Sequence, residues 1–234
     1  MELIHSPLFG LLLTLISYKL ATLLYQKSGR SLALHPFIIS MIPVVLVLKL
    51  SDISYAEYIQ QTDIIQFLLG PATVALAWPM HRQLRVLGKI WLPLLITVCI
   101  GGLLAAGICV GLAWLMGAPD MVLASLTAKS ITTPIALEVV KMTHGSAALV
   151  AGAVAITGII GAVCAPAMLR VMRITDDRVR GFVIGLTSHA IGTARAFELS
   201  ETAGAFSSLA LSLTGTFTAL VIPVLWSWIE VNYL

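Results

Sequence analysis

Two stretches of an otherwise apolar chain carry side chains that could do chemistry. The first, Thr127–Glu138, holds Lys129, Ser130, Thr132, Thr133, Pro134 and Glu138. The second, Gly185–Glu198, holds Gly185, Thr187, Ser188, His189, Gly192, Thr193, Arg195 and Glu198. Hydroxyls beside two cations suit a small anion, most naturally a carboxylate. Arg195 can grip a carboxylate bidentately, while Lys129 acts as a point charge. Lys129, Ser130, Thr132, Thr133, Thr187, Ser188, His189, Thr193 and Arg195 are therefore the candidate substrate-binding residues. Glu138 and His189 are candidate proton carriers, since an ionisable group at membrane depth commonly marks a pathway.

Each candidate has a plainer alternative. Arg195 and Glu198 stand at i,i+3 and can form an interfacial ion pair, and Glu138 can do the same with Lys141. Lys129 can snorkel, as Lys19 is expected to do. A lone histidine can be a satisfied packing residue. Ser207 and Ser208 read as helix-packing residues.

The elements that hold these residues read as interrupted helices. Pro134 lacks an N–H and disfavours helical geometry at Thr133. Ile131, Thr132 and Thr133 are β-branched and weaken the helix further. A break is expected near Thr132–Pro134. Gly185 and Gly192 are permissive positions, so a second break is expected near Ser188–Gly192. Irregular backbone in a membrane is tolerated where protein buries it or where it lines a cavity. Pro71 and Thr73 read as a simple helix kink.

The surrounding chain has 59% hydrophobic and 11% charged residues, with a mean hydropathy of +0.98. Soluble domains carry about 25% charged residues, so the fold class is an all-α, polytopic integral membrane protein with the lipid bilayer as its first partner. Spans need roughly 20 apolar residues. Eight segments qualify: Ile4–Tyr25, Leu32–Leu50, Ile64–Met80, Ile90–Met116, Met121–Met142, Ser146–Leu169, Gly181–Leu199 and Ala205–Ile229. The N-terminal segment reads as a retained span and not a cleaved leader. The net charge of +3 sits in short clusters, which suits membrane topology and not nucleic-acid binding.

Connector charge gives orientation. Lys27 and Arg30 are positive, Asp52, Glu57 and Asp63 negative, Arg82, Arg85 and Lys89 positive, and Asp120 negative. The positive-inside rule puts the N-terminus outside and the first and third connectors in the cytoplasm. Arg170, Arg173, Arg178 and Arg180 then fall on the cytoplasmic side only if an odd number of crossings separates Asp120 from Arg170. A re-entrant fifth segment supplies that. Phe67–Ala75 resembles Phe182–Ala190, which outlines an inverted repeat with halves of about 1–117 and 118–234 inside a single domain, a pattern known in transporters.

No GxSxG, HExxH or P-loop is present, so the chain is read as not an enzyme, with any transport secondary or passive. Cys99, Cys109 and Cys164 lie in apolar runs without ligand spacing. No disulfide, metal or cofactor is expected.

At Lys129–Ala136, Ser188–Arg195, Gly204–Ala210 and Leu69–Pro79 the sequence resembles the LrgB/CidB family, and the resemblance spans essentially the whole chain. It implies one of two functions. The first is secondary transport of small monocarboxylates of the pyruvate, glycolate or glycerate type, as in a plastid glycolate/glycerate translocator. The alternative is holin/antiholin-like control of murein hydrolase export and autolysis. The resemblance also implies a bacterial cytoplasmic (inner) membrane and a small LrgA/CidA-like membrane partner, and a homo-oligomer is expected.

Overall fold

A computed structural model describes residues 4–29, 34–75, 78, 81 and 84–233. Among the described residues there is helix and no strand, as expected where lipid leaves backbone groups no partner outside their own segment. The chain divides into two units, Met1–Ala75 and Leu76–Leu234.

The first unit holds α1 (Pro7–Lys27), α2 (Pro36–Leu50), α3 (Tyr55–Gln61) and α4 (Asp63–Ala75). α1 and α2 each begin on a proline, where the missing N–H costs nothing. The chain turns after α2 through Asp52 at φ 56°, and α3 leaves at 116° to α2. Ser54 caps α3 by accepting the Glu57 N–H at 3.2 Å. α3 docks on α1 where Gly10 makes room for Gln61, Thr14 meets the Tyr58 hydroxyl at 2.7 Å, and His5 Nδ1 meets Glu57 at 2.5 Å. Pro71 lies inside α4; the Thr73 side chain lies outside the described residues.

The second unit holds α5 (Leu84–Leu115), α6 (Asp120–Leu126), α7 (Thr133–Met142), α8 (Ala147–Val171), α9 (Asp177–Leu199) and α10 (Glu201–Tyr233). α5 loses helical geometry at Ile90, just ahead of Pro93, whose ring crowds the carbonyl of Lys89. Four described helices are long and apolar enough to cross a bilayer: α1, α5 from Gly88, α8, and α10 as far as Asn232. The bent α2–α3 pair would make a fifth. The outline of eight spans is thus not reproduced, and turns that halve segments five and seven are one physical reason.

Segment five runs out and back. α6 ends at Leu126, residues 127–132 are not helical, and α7 starts at Thr133. At the far end of α7, the Ser146 N–H donates to Ser125 Oγ on α6 at 2.7 Å. A Cβ on Gly145 would stand 3.0 Å from the Ser125 backbone nitrogen. The chain between Ser125 and Ser146 therefore closes on itself.

Segment seven does the same around one residue. His189 has φ 40°, ψ −132° inside α9. A Cβ on Gly192 would stand 2.9 Å from the carbonyl oxygen of Ile184. In a straight helix residues eight apart are separated by about 12 Å, so the two arms, 177–188 and 190–199, must fold against each other. α10 then starts back at the foot of the first arm: a Cβ on Gly181 would overlap the Ala203 carbonyl, and one on Gly185 the Ser207 carbonyl. Small residues at both positions bring α9 and α10 into backbone contact, the way helices associate in lipid.

α8 fixes how the two hairpins are related. Its 25 residues span about 37 Å. The α6–α7 hairpin opens beside Ser146, where α8 begins. The α9 hairpin opens beyond Arg170, where α8 ends, and Ala165 and Leu169 pack with Ile184 and Ala196 near its foot. The hairpins thus enter from opposite ends of α8, and α8 alone separates their bases. A membrane crossed by α8 and entered by both hairpins would give the odd crossing count expected for the basic Arg170–Arg180 connector.

Candidate functional site

The two hairpin tips meet on α8 at Val154. Its side chain is fully buried in a cluster with Ala128, Ile131, Ala136 and Val150 from the first hairpin and α8. Its carbonyl accepts a hydrogen bond from His189 Nε2 of the second hairpin at 2.9 Å. A carbonyl has two lone pairs, so it can serve the ring as well as its own helix. Gly158, one turn on, leaves the space: a Cβ there would stand 2.6 Å from His189 Cε1. Gly161 does the same for the Ser188 side chain. The bond requires Nε2 to carry its proton. His189 is 2% exposed, and it anchors its hairpin tip to α8.

The hydroxyls around this junction are already engaged. Thr193 Oγ1 donates to the His189 carbonyl at 2.8 Å and meets Ser207 Oγ of α10 at 2.9 Å. Thr187 Oγ1 donates to the Val183 carbonyl at 2.8 Å and lies 3.1 Å from Ser188 Oγ. Thr127 Oγ1 donates to the Ala124 carbonyl at 2.6 Å. Thr132 sits in extended geometry before α7, and Thr133 is its first helical residue; both are half-buried. Pro134 follows, exposed, in the first turn, where its lost N–H leaves no ladder bond unmade.

At the second tip the C-terminal end of one arm meets the N-terminal end of the next, and their dipole ends largely offset each other. At the first tip α7 alone begins, because α6 ends at Leu126 beside the Ser125–Ser146 bond at the hairpin's base, so the α7 N-terminus adds partial positive charge. The nearest full charge has the same sign. That charge is Lys129. It is half-buried, its Nζ donates to Ser130 Oγ at 3.0 Å, and it acts electrostatically on the His189 ring. No described carboxylate pairs with it. An ammonium has three donors, so Lys129 retains donors for an anion.

The structure brings Lys129, Ser130, Thr132, Thr133, Ser188, His189 and Thr193 to this region, with Thr187 on the exposed side of the tip. Arg195 lies six residues beyond His189 in the returning arm and is paired with Glu198. Glu138 is exposed and paired with Lys141 at 2.6 Å. Gly185 and Gly192 serve close packing, while the turn itself falls on His189. Sequence reasoning missed Val154, Gly158, Gly161 and Thr214. Glycines three apart in α8 were the available signal for two of them.

Beyond the junction, Asp176 caps α9. Its carboxylate accepts the Arg178 N–H at 2.8 Å and pairs with the guanidinium at 2.5 Å. The Arg178 side chain first, then the backbone N–H, holds this carboxyl down to about 2.

The profile of the LrgB-like family matches residues 14–228. The Antiholin-like protein LrgB of Bacillus subtilis (strain 168) is 31% identical over 224 residues, covering 96% of this chain and 97% of that protein. No solved structure matches. The match runs through both units, both hairpins and all the crossing helices, and this chain belongs to the LrgB-like family.

Proposed function

We propose that this chain is an antiholin-like protein of the membrane, acting with a small LrgA/CidA-like partner to restrain murein hydrolase export and autolysis. The observation that carries the reading is the 31% identity to an antiholin-like relative across 96% of the chain. The spans and their apolar outer faces support a multi-pass membrane location. The test is autolysis in cells lacking the chain. Faster lysis, reversed by the chain together with its partner, is expected. An unchanged lysis rate contradicts the reading.

A second reading rests on Lys129. A half-buried ammonium without a carboxylate partner, set where two hairpin tips meet, favours selective passage of a small monocarboxylate of the pyruvate, glycolate or glycerate type. Desolvating such a cation is costly without a counter-charge. Proteoliposomes separate the readings. Flux of labelled pyruvate that is lost in Lys129→Met, with no leakage of a larger dye, supports the carrier. Leakage without size discrimination supports a pore.

A further inference from the structure

We propose that a row of buried hydroxyls on α10, Ser207, Thr214 and Thr218, lines the passage of a small carboxylate through the hairpin junction, with Thr214 as the contact at its middle. The proposal rests on the carrier reading and adds to it a surface that neither broken segment supplies.

The three residues are spaced by seven and four, which puts them on one face of the helix over about 16 Å. All three are buried, at 0%, 2% and 6% exposure. Three other hydroxyls of α10 satisfy themselves locally. Ser208 donates to the Gly204 carbonyl, Ser212 to the Ser208 carbonyl and Thr216 to the Ser212 carbonyl, each at 2.9 Å. Thr214 Oγ1 does not bond in this way, and among the described residues it has no hydrogen-bond partner. Valine would have the same shape without a polar atom to satisfy, and buried hydroxyls are normally partnered.

Position gives the hydroxyl a use. Ser207 meets Thr193 of the second hairpin at 2.9 Å. Gly215, beside Thr214, abuts Ile135 just past the tip of the first hairpin. Thr214 therefore lies at the depth where the two tips meet. A hydroxyl can donate to a carboxylate and accept from the water that travels with it. Lys129 supplies the charge that selects an anion over a cation.

Labelled pyruvate uptake into proteoliposomes, compared among Thr214→Val, Thr214→Ser, Ser208→Ala and Lys129→Met, tests this. Thr214→Val is expected to lower flux about tenfold while the protein stays folded, the size of one lost hydrogen bond in a transport barrier. Thr214→Ser and Ser208→Ala should stay near the native rate. Native flux in Thr214→Val, with flux lost in Lys129→Met, overturns the hydroxyl route alone. Native flux in Lys129→Met overturns the carrier reading beneath it. Thiol labelling gives a readout that needs no flux. In a background without the native cysteines, Thr214→Cys should react with a small anionic thiol reagent, and pyruvate should slow the reaction. Ser208→Cys should not react. Equal inertness at both positions overturns the proposal.

Discussion

The two hairpins reverse the chain by different means. The α6–α7 hairpin spends six non-helical residues, 127–132, on its turn and seals its base with the Ser125–Ser146 hydrogen bond. The α9 hairpin turns on the single residue His189, in a backbone region that L-residues rarely occupy. It is held by glycines that let helices touch, and its tip is tied to α8 through an imidazole. The first hairpin is built from local chemistry: a proline, β-branched residues and self-bonded hydroxyls. The second depends on contacts distant in sequence. The charged group lies on the first, and the strain lies on the second.

This contrast orders what substitutions should do. Gly185→Leu has the largest expected effect, because its side chain would occupy the place of the Ser207 backbone. Overpacking of this kind costs about 3 kcal/mol or more, and the protein should fail to fold or unfold far earlier in detergent. Gly152→Leu, on an open face of α8 with nothing nearby, should be tolerated. Equal loss for both would mean that glycine packing does not hold the second hairpin.

Ser125→Ala comes next. It leaves the half-buried Ser146 N–H without its acceptor, at about 1 kcal/mol. Hydrogen exchange should rise at Ser146 and along α7 while α9 is unaffected. Exchange that rises equally in both hairpins would contradict their independence.

His189 separates strain from anchoring. His189→Ala keeps the disfavoured backbone and loses the Val154 bond. His189→Gly loses the same bond but relieves strain of about 1–3 kcal/mol. Glycine should therefore be the more stable variant by thermal unfolding. If alanine is as stable as glycine, the turn is not strained in the way described.

Asp176 gives the smallest effect. Its carboxyl is depressed to about 2, so its contribution is fully present above the ordinary carboxylate range and is lost as pH falls through about 2. The pair is exposed, so salt screens it. Asp176→Ala should speed amide exchange only in the first turn of α9, and acidification should do so only near pH 2.

Much of this contrast was legible before any fold was known. Pro134 and its β-branched neighbours marked the first turn, because such residues act on their own backbone. The arginines of the 170–180 connector, set against Asp120, led to the expectation of an odd crossing count, which the labelling experiment below tests. The second turn was placed only to within Ser188–Gly192. Nothing local to His189 forces the chain to reverse; the forces come from Gly158, Gly161, Ala203 and Ser207. The pairing of Arg195 with Glu198 follows from their spacing and stood as the plainer alternative. Thr214 carried no signal, since a threonine in an apolar helix ordinarily bonds to its own backbone. Its depth beside the junction depends on where two other segments stop.

The opposed entry of the two hairpins is the claim on which the rest depends, and cysteine labelling from each face of the membrane tests it most directly. Single cysteines would replace Asp120, His144, Arg173 and Glu201 in a background without Cys99, Cys109 and Cys164. The account predicts that Asp120→Cys and His144→Cys react from one face, and that Arg173→Cys and Glu201→Cys react from the other. Asp120→Cys and His144→Cys reacting from opposite faces, or Arg173→Cys and Glu201→Cys doing so, would contradict it.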